Sequence, residues 1–191
     1  MPRMTKTGGS VGGVVALALV LAPRAATQTA PPPSPPKAPV ISDTGRLAGP
    51  RQPIFFRHDV HAGQDQIRCL YCHSTATISS EPGIPALQTC WGCHQMIGGS
   101  TPSHQAAIQK VREAFLRKQP PAWVRVHTLA GFVHFPHMRH IKVLGAESCS
   151  TCHGDVRAMP QVHQVATLKM GWCVDCHVQR NVTRDCTVCH Y

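Results

Sequence analysis

Aromatic and acidic side chains are both scarce in this 191-residue sequence. Phe, Trp and Tyr make up 5% of the chain, and nine Asp and Glu face nineteen Lys and Arg, giving a formal net charge of +10. The few aromatics are not interleaved with basic residues, as they are in grooves that stack single-stranded bases. We therefore expect no nucleic-acid partner. A basic surface can instead attract an acidic protein or an anionic membrane face.

A long apolar run is also missing. Val11–Ala22 would rise only about 18 Å as a helix, short of the roughly 30 Å hydrocarbon core of a bilayer. Arg3 and Lys6 precede it, as in a secretory signal, but Pro23 interrupts the expected cleavage site. Residues 1–26 therefore fit either a signal peptide or a retained N-terminal membrane anchor.

A Pro-rich segment follows over residues 27–52, with Pro31-Pro-Pro-Ser-Pro-Pro36 at its centre. Such sequences adopt extended polyproline conformations and act as semi-rigid spacers. The remaining residues, 53–191, are predicted to form one functional domain.

No cysteine is left outside a single repeated pattern. All ten lie in five Cys-x-x-Cys-His motifs, numbered one to five in chain order: Cys69-x-x-Cys72-His73, Cys90-x-x-Cys93-His94, Cys149-x-x-Cys152-His153, Cys173-x-x-Cys176-His177 and Cys186-x-x-Cys189-His190. This spacing is typical of c-type haem attachment, in which both thiols form thioethers with the haem and the histidine ligates the iron. The sequence therefore predicts five covalently bound haems.

Other cysteine chemistries explain the pattern less well. Five such motifs do not divide into four-ligand zinc sets, and zinc does not require a histidine directly after each cysteine pair. Iron–sulfur ligation favours tighter cysteine runs, and a thioredoxin-like site needs only one pair near a βαβ unit. Disulfides would leave the repeated histidine without a reason.

The length of the domain predicts its fold class. Residues 53–191 provide fewer than thirty residues for each motif, and aromatics are few. The cofactors are therefore expected to form much of the core. We predict a mostly α and irregular fold, with short helices and loops around five closely packed haems and little sheet.

The domain contains an internal duplication. Phe56-x-His58-x-x-His61 precedes the first motif, and Phe135-x-His137-x-x-His140 precedes the third, at an offset of 79 residues. We call these the first and second histidine boxes. Each is followed by two motifs, which gives halves at about 53–100 and 132–178 and a fifth haem segment at 179–191.

The histidine count suits six-coordinate irons. Eight histidines lie outside the motifs: His58, His61, His104, His127, His134, His137, His140 and His163. The boxes resemble those of small cytochromes of the c3/c7 type. That resemblance implies that His58 and His137 ligate the haem attached just after them, and His61 and His140 more distant ones.

The fifth distal ligand has three candidates. Met159 and His163 lie between the third and fourth motifs, and Met170 lies just before the fourth. The residues alone leave the choice open, and either methionine would give His/Met ligation. Such ligation raises the reduction potential.

One longer helix is predicted between the second and third motifs, over Thr101–Lys118. Thr101 suits the N-cap and Pro102 the first helical position, while Ile108, Val111 and Phe115 share one face.

Several further motifs resemble the pentahaem subunit of alternative complex III. They occur in order over most of residues 52–178: Gln52-Pro-Ile-Phe-Phe with the first box and Gly63, Ile67-x-Cys-x-Tyr-Cys-His73, Gly83-Ile-Pro85, Trp123-Val-Arg-Val-His127, Val133-x-Phe135 with the second box, Cys152-His-Gly154 and Met170-Gly-Trp-Cys173. A methionine at the position of Met159 also belongs to the family pattern, and mixed bis-His and His/Met ligation would suit it, so the resemblance favours Met159 as the fifth distal ligand. Leu129-Ala-Gly131 departs from the expected Leu-Pro-Asp.

The resemblance implies a role in electron transfer. That family is a membrane quinol oxidoreductase that passes electrons to periplasmic acceptors or a terminal oxidase. Its pentahaem subunit connects neighbouring subunits, including an iron–sulfur protein, with a further cytochrome, on the periplasmic face of the bacterial inner membrane. We therefore expect an electron-transfer subunit without its own substrate site.

Other functions have their own requirements. A soluble periplasmic shuttle, such as a pentahaem donor to nitrite reductase, would need a cleaved N-terminus. An oxyanion-reducing enzyme would need one iron without a distal ligand.

Overall fold

A computed structural model of the chain describes Gly8, Ile41 and residues 45–191. The chain divides into two units, Met1–Ser34 and Pro35–Tyr191, and all five motifs lie in the second. The predicted signal or anchor over residues 1–26 lies outside the described residues except for Gly8, as does most of the Pro-rich segment.

The described residues form seven short α-helices joined by irregular chain. They are α1 (Cys69–Cys72), α2 (Leu87–His94), α3 (Pro102–Arg117), α4 (His137–Leu144), α5 (Cys149–His153), α6 (Met170–Gln179) and α7 (Cys186–Cys189). Over residues 45–191 the chain forms no strand. The expected mostly α and irregular fold class is thereby confirmed.

Helix α3 follows the prediction closely. The side-chain oxygen of Thr101 accepts a hydrogen bond from the backbone N–H of His104, and Pro102 takes the first helical position. Lys118 ends the helix in the left-handed conformation, with φ of 55°. The indole of Trp91 in α2 stacks on Phe115 at a ring distance of 5.3 Å, which fixes α3 against the second motif.

The first histidine box continues into a π-helical turn, Asp59–Gln64. This turn packs against a short 3-10 turn, Val156–Ala158, which follows the third motif. At Gly63 the two segments come very close: a Cβ there would lie 2.4 Å from the carbonyl oxygen of Arg157. Any larger residue would force these segments apart. The turn thus joins the two duplicated halves.

A second junction lies between the halves. Helix α4 packs against the 3-10 turn Ser74–Thr77, which directly follows the first motif. The backbone N–H groups of His137 and Met138 donate to the carbonyl oxygens of Ser80 and Ser79, at 3.3 and 3.2 Å. The second box is therefore held beside the first motif.

The protein atoms alone provide almost no apolar core. In the described part, the buried apolar residues are Ile54, Ala76, Val111 and Met159, and no side chain is fully buried. Many large apolar side chains are exposed, including Ile78, at 76%, and Met96, at 86%. Burial on this scale cannot offset the conformational entropy of a chain this long. A bulky apolar group must complete the interior.

Gln161 fastens the start of the described domain. Its buried side-chain amide nitrogen lies 3.5, 3.2 and 2.8 Å from the carbonyl oxygens of Leu47, Ala48 and Gly49, and its two N–H groups can donate to two of them. The end of the Pro-rich segment is thus held against the chain after the third motif. Among the described residues, no helix has the length and apolar character needed to cross a bilayer.

We predict that Gln161→Ala loosens residues 45–50 and lowers the free energy of unfolding by about 0.5–1.5 kcal/mol, because the carbonyls of Leu47, Ala48 and Gly49 lose a buried amide donor. Denaturant unfolding and limited proteolysis measure these effects. Gln164→Ala is the control, since that exposed side chain donates only to the nearby carbonyls of Ala166 and Thr167. Equal behaviour of the two variants would contradict the role of Gln161.

Candidate haem-binding site

Each Cys-x-x-Cys pair lies on a helical turn. The first, third and fifth motifs form short helices of their own (α1, α5 and α7), and the second and fourth lie within α2 and α6. Residues three apart on a helix share one face, so each turn presents both thiols to the same side. The next residue, the motif histidine, lies at or just beyond the helix end in α1, α2, α5 and α7. This arrangement suits two-point attachment with an adjacent axial ligand.

Five of the ten thiols have an environment unlike that of a redox-active pair. All ten cysteines lie in the described part and none forms a disulfide. Burial raises the pKa of five of them: Cys72, Cys90, Cys149, Cys152 and Cys173. Redox-active Cys-x-x-Cys pairs have the opposite environment, one that lowers the pKa of the thiol.

Four of the five motif histidines direct their Nδ1 to a backbone carbonyl. The acceptors are Gly83 for His73 (3.4 Å), Ile97 for His94 (3.0 Å), Thr183 for His177 (2.6 Å) and Phe132 for His190 (3.2 Å). A carbonyl oxygen only accepts, so Nδ1 carries the proton and Nε2 keeps its lone pair. Metal-ligating histidines are oriented in this way.

Three box histidines share this orientation. His61, His137 and His140 direct Nδ1 to the carbonyl oxygens of Arg57, Ser80 and Pro136, at 2.9, 2.8 and 3.0 Å. Burial lowers the pKa of His61 and of His137, which keeps these rings neutral at physiological pH. A neutral imidazole is the form that binds iron.

Three box histidines each lie opposite a motif histidine. The ring centroids are 5.9 Å apart for His61 and His94, 6.3 Å for His137 and His153, and 6.2 Å for His140 and His177. With metal–nitrogen bonds of about 2 Å, two imidazoles on one metal have centroids about 6 Å apart. The three pairs therefore have the separation of two axial ligands.

His58 completes the pattern beside the first motif. Burial, together with the nearby His73, lowers its pKa to about 4. Its Nδ1 is buried and has no hydrogen-bond partner among the described residues. The halves thus follow one rule: the first histidine of each box lies near the next motif, and the second lies opposite the motif after that.

The third motif differs from the others. The Nδ1 of His153 lies 3.4 Å from Nε2 of His127, with the two rings perpendicular at 4.4 Å. Burial, together with the nearby His127 and His137, lowers the pKa of His153 to about 4. His127 was not among the predicted site residues, although it belongs to the quoted Trp123–His127 motif. Its position there was the available signal.

A buried ion pair supports the first box, and it too was missed by sequence reasoning. The guanidinium of Arg57 donates to both carboxylate oxygens of Asp59, and Arg57 is only 4% exposed. The same residue's carbonyl orients His61. The second box has Pro136 and Met138 at the equivalent positions, so it carries no such pair.

The candidates for the fifth distal ligand lie in different surroundings. Met159 is buried, and its methyl group would lie 3.3 Å from a Cβ at Gly154, just after the third motif. The Nδ1 of His163 lies 3.3 Å from the carbonyl oxygen of Gln161, and Met170 is exposed at the start of α6.

The fifth motif makes its own contacts with the segment before the second box. The ring of Phe132 lies 5.7 Å from that of His190, and the backbone N–H of His134 donates to the carbonyl oxygen of Cys189.

Met159, favoured as the fifth distal ligand, remains a prediction.

These residues fit covalently bound haem. The described residues include only four buried apolar side chains, four motif histidines and three box histidines are oriented for ligation, and opposed rings have the separation of axial pairs. The five cysteine pairs would hold the groups, and the motif and box histidines would ligate the irons.

Comparisons with known proteins support this chemistry. No protein-family model matches the chain. The chain is similar to the menaquinone reductase multihaem cytochrome c subunit of Nitratidesulfovibrio vulgaris (strain Hildenborough), with 28% identity over 163 residues. The match covers 73% of this chain and 76% of the relative. The similarity supports a multihaem cytochrome c with c-type haems.

We predict that His61→Ala leaves the iron at the second motif without its distal ligand. About one-fifth of the haem should then bind carbon monoxide in the reduced protein, because one open coordination position accepts an external ligand. Absorption spectra of the reduced protein with and without carbon monoxide measure this fraction.

His104→Ala provides the control. His104 lies in the first turn of α3, where its backbone N–H donates to the side-chain oxygen of Thr101. This variant should bind no more carbon monoxide than the unmodified protein. A His61→Ala variant that binds no more carbon monoxide than the unmodified protein would contradict the pairing of His61 with His94.

Proposed function

We propose that this chain is an electron-transfer protein that binds five c-type haems through its five Cys-x-x-Cys-His motifs. The observation that carries the proposal is the set of opposed histidine rings. Three pairs, each joining a box to a motif, have centroids 5.9–6.3 Å apart. Their repetition in both halves is not expected of unrelated surface histidines.

When bound, each haem would supply a one-electron redox centre. The chain's own contribution is to position and insulate these centres. Backbone carbonyls fix the imidazole rings, and burial keeps His58 and His153 neutral. Axial ligand identity, burial and hydrogen bonding would then set the individual potentials.

The function requires no substrate chemistry on this chain. The four box histidines would give the irons of the first four motifs a distal ligand, which leaves those irons no open coordination position for a substrate. We therefore propose an electron-transfer subunit rather than an enzyme in its own right. The reaction with quinone would take place on a neighbouring subunit.

The wider assembly is proposed to be a quinone-linked membrane complex. The motif order resembles the pentahaem subunit of alternative complex III, and the similar protein from Nitratidesulfovibrio vulgaris is named as a subunit of a menaquinone reductase. We propose a place at the periplasmic face of the bacterial inner membrane, among partners that include an iron–sulfur subunit and a further cytochrome.

The direction of electron flow separates two versions of this proposal. The resemblance to alternative complex III favours electrons from quinol, passed on to a periplasmic cytochrome or terminal oxidase. The named relative favours electrons passed toward menaquinone. A row of redox centres can carry electrons in either direction, so the partner proteins determine the direction of electron flow.

We predict that the protein, gently extracted from its native membrane, migrates with a large quinone-reactive assembly on a native gel stained for haem. In-gel assays with reduced and oxidised quinone analogues would show which direction the assembly supports. A single soluble band near the 20.7 kDa of the chain would contradict the subunit proposal and favour a soluble periplasmic shuttle.

A further inference from the structure

Each histidine box connects two motifs in space. In the first box, His58 lies near His73 of the first motif, and His61 faces His94 of the second. Only three residues separate these histidines, so the first and second motifs must lie on adjacent sides of one helical turn. The thiol of Cys72 also lies near the thiols of Cys90 and Cys93 in the second motif.

The second box connects the third and fourth motifs in the same way. His137 faces His153 and His140 faces His177, at ring distances of 6.3 and 6.2 Å. The thiol of Cys152 neighbours those of the fourth motif. The duplication therefore yields two equivalent pairs of motifs.

The two pairs meet at the first and third motifs. The thiols of Cys69 and Cys149 are within hydrogen-bonding distance, and His73 lies close to His153. Two contacts hold this junction. The backbone of the second box donates hydrogen bonds to the segment after the first motif, and Gly63 packs closely against the turn after the third motif. The second and fourth motifs therefore lie on the sides of their pairs that face away from this junction.

The fifth motif extends the row from the fourth. Cys189 lies near Cys173 of the fourth motif. The carbonyl oxygen of Phe132 accepts from Nδ1 of His190, and the N–H of His134 donates to Cys189. These contacts attach α7 to the second half of the duplication.

We infer that the five motifs lie in the spatial order second, first, third, fourth, fifth. The order rests on the proposed function, since it describes a path only if all five motifs carry haem. It differs from chain order in one respect: the first and second motifs are exchanged. The second motif, on α2, is one end of the row, and the fifth motif, on α7, is the other.

The order assigns the two ends different surroundings. The end at the second motif is backed by α3, with Trp91 stacked on Phe115. The other end lies near the C-terminus, where Tyr191 is 79% exposed and stacks on His134. Partners that donate and accept electrons would approach these two ends.

Proton NMR of the fully reduced, fully haem-loaded protein tests the order without a variant. Each haem is assigned to its motif through contacts with the cysteine β-protons. We expect nuclear Overhauser contacts between haems of motifs one and two, one and three, three and four, and four and five. Contacts between motif two and motif four or five, or a missing contact between motifs one and three, would overturn the order.

Two variants provide an independent readout. His61→Met and His58→Met should each raise the reduction potential of one haem, because methionine replaces an axial histidine. In NMR-followed redox titrations, the first change should shift the titration of one neighbouring haem and the second change that of two. Equal effects on the same set of neighbours would contradict the end position of motif two.

The mass of the purified protein separates the two proposals. A mass increase of five haem groups is expected. Fewer haems would contradict the proposed function itself, whereas five haems with another set of contacts would overturn only the order.

Discussion

The described structure depends on the three-residue spacing within each histidine box. On a helical turn, this spacing places two imidazoles side by side but aims them at different neighbours. His61 reaches the second motif and His140 the fourth, while their box partners stay near the first and third. Each box therefore binds two attachment motifs into one unit, and the rest of the chain is arranged around the two units.

The imidazoles hold these positions because the backbone fixes their tautomer. In four motif histidines and three box histidines, donation from Nδ1 to a carbonyl oxygen leaves Nε2 available to ligate a metal. These carbonyls belong to loops and helix ends, where an imidazole can reach them. The irregular chain between the short helices therefore has a positive role, because it supplies these acceptors.

The shortage of apolar side chains follows from the same design. A chain that binds large apolar cofactors through covalent bonds can leave much of its interior to them. Two of the four buried apolar side chains lie at the junctions between the halves: Ala76 after the first motif, and Met159 after the third. The buried Arg57–Asp59 pair occurs in the first box alone, so the two duplicated units have different electrostatic surroundings.

The sequence by itself determined the cofactor chemistry, the fold class and helix α3, because each depends on residues close together in the chain. Cys-x-x-Cys-His is complete within five residues, and the cap at Thr101 acts on His104, three positions away. The tertiary structure alone decided which of the more distant motifs His61 and His140 face, the contact of His127 with His153, and the arrangement of the motifs. These features join residues tens of positions apart, and they depend on how the two halves pack at Gly63 and α4. No local spacing encodes that packing.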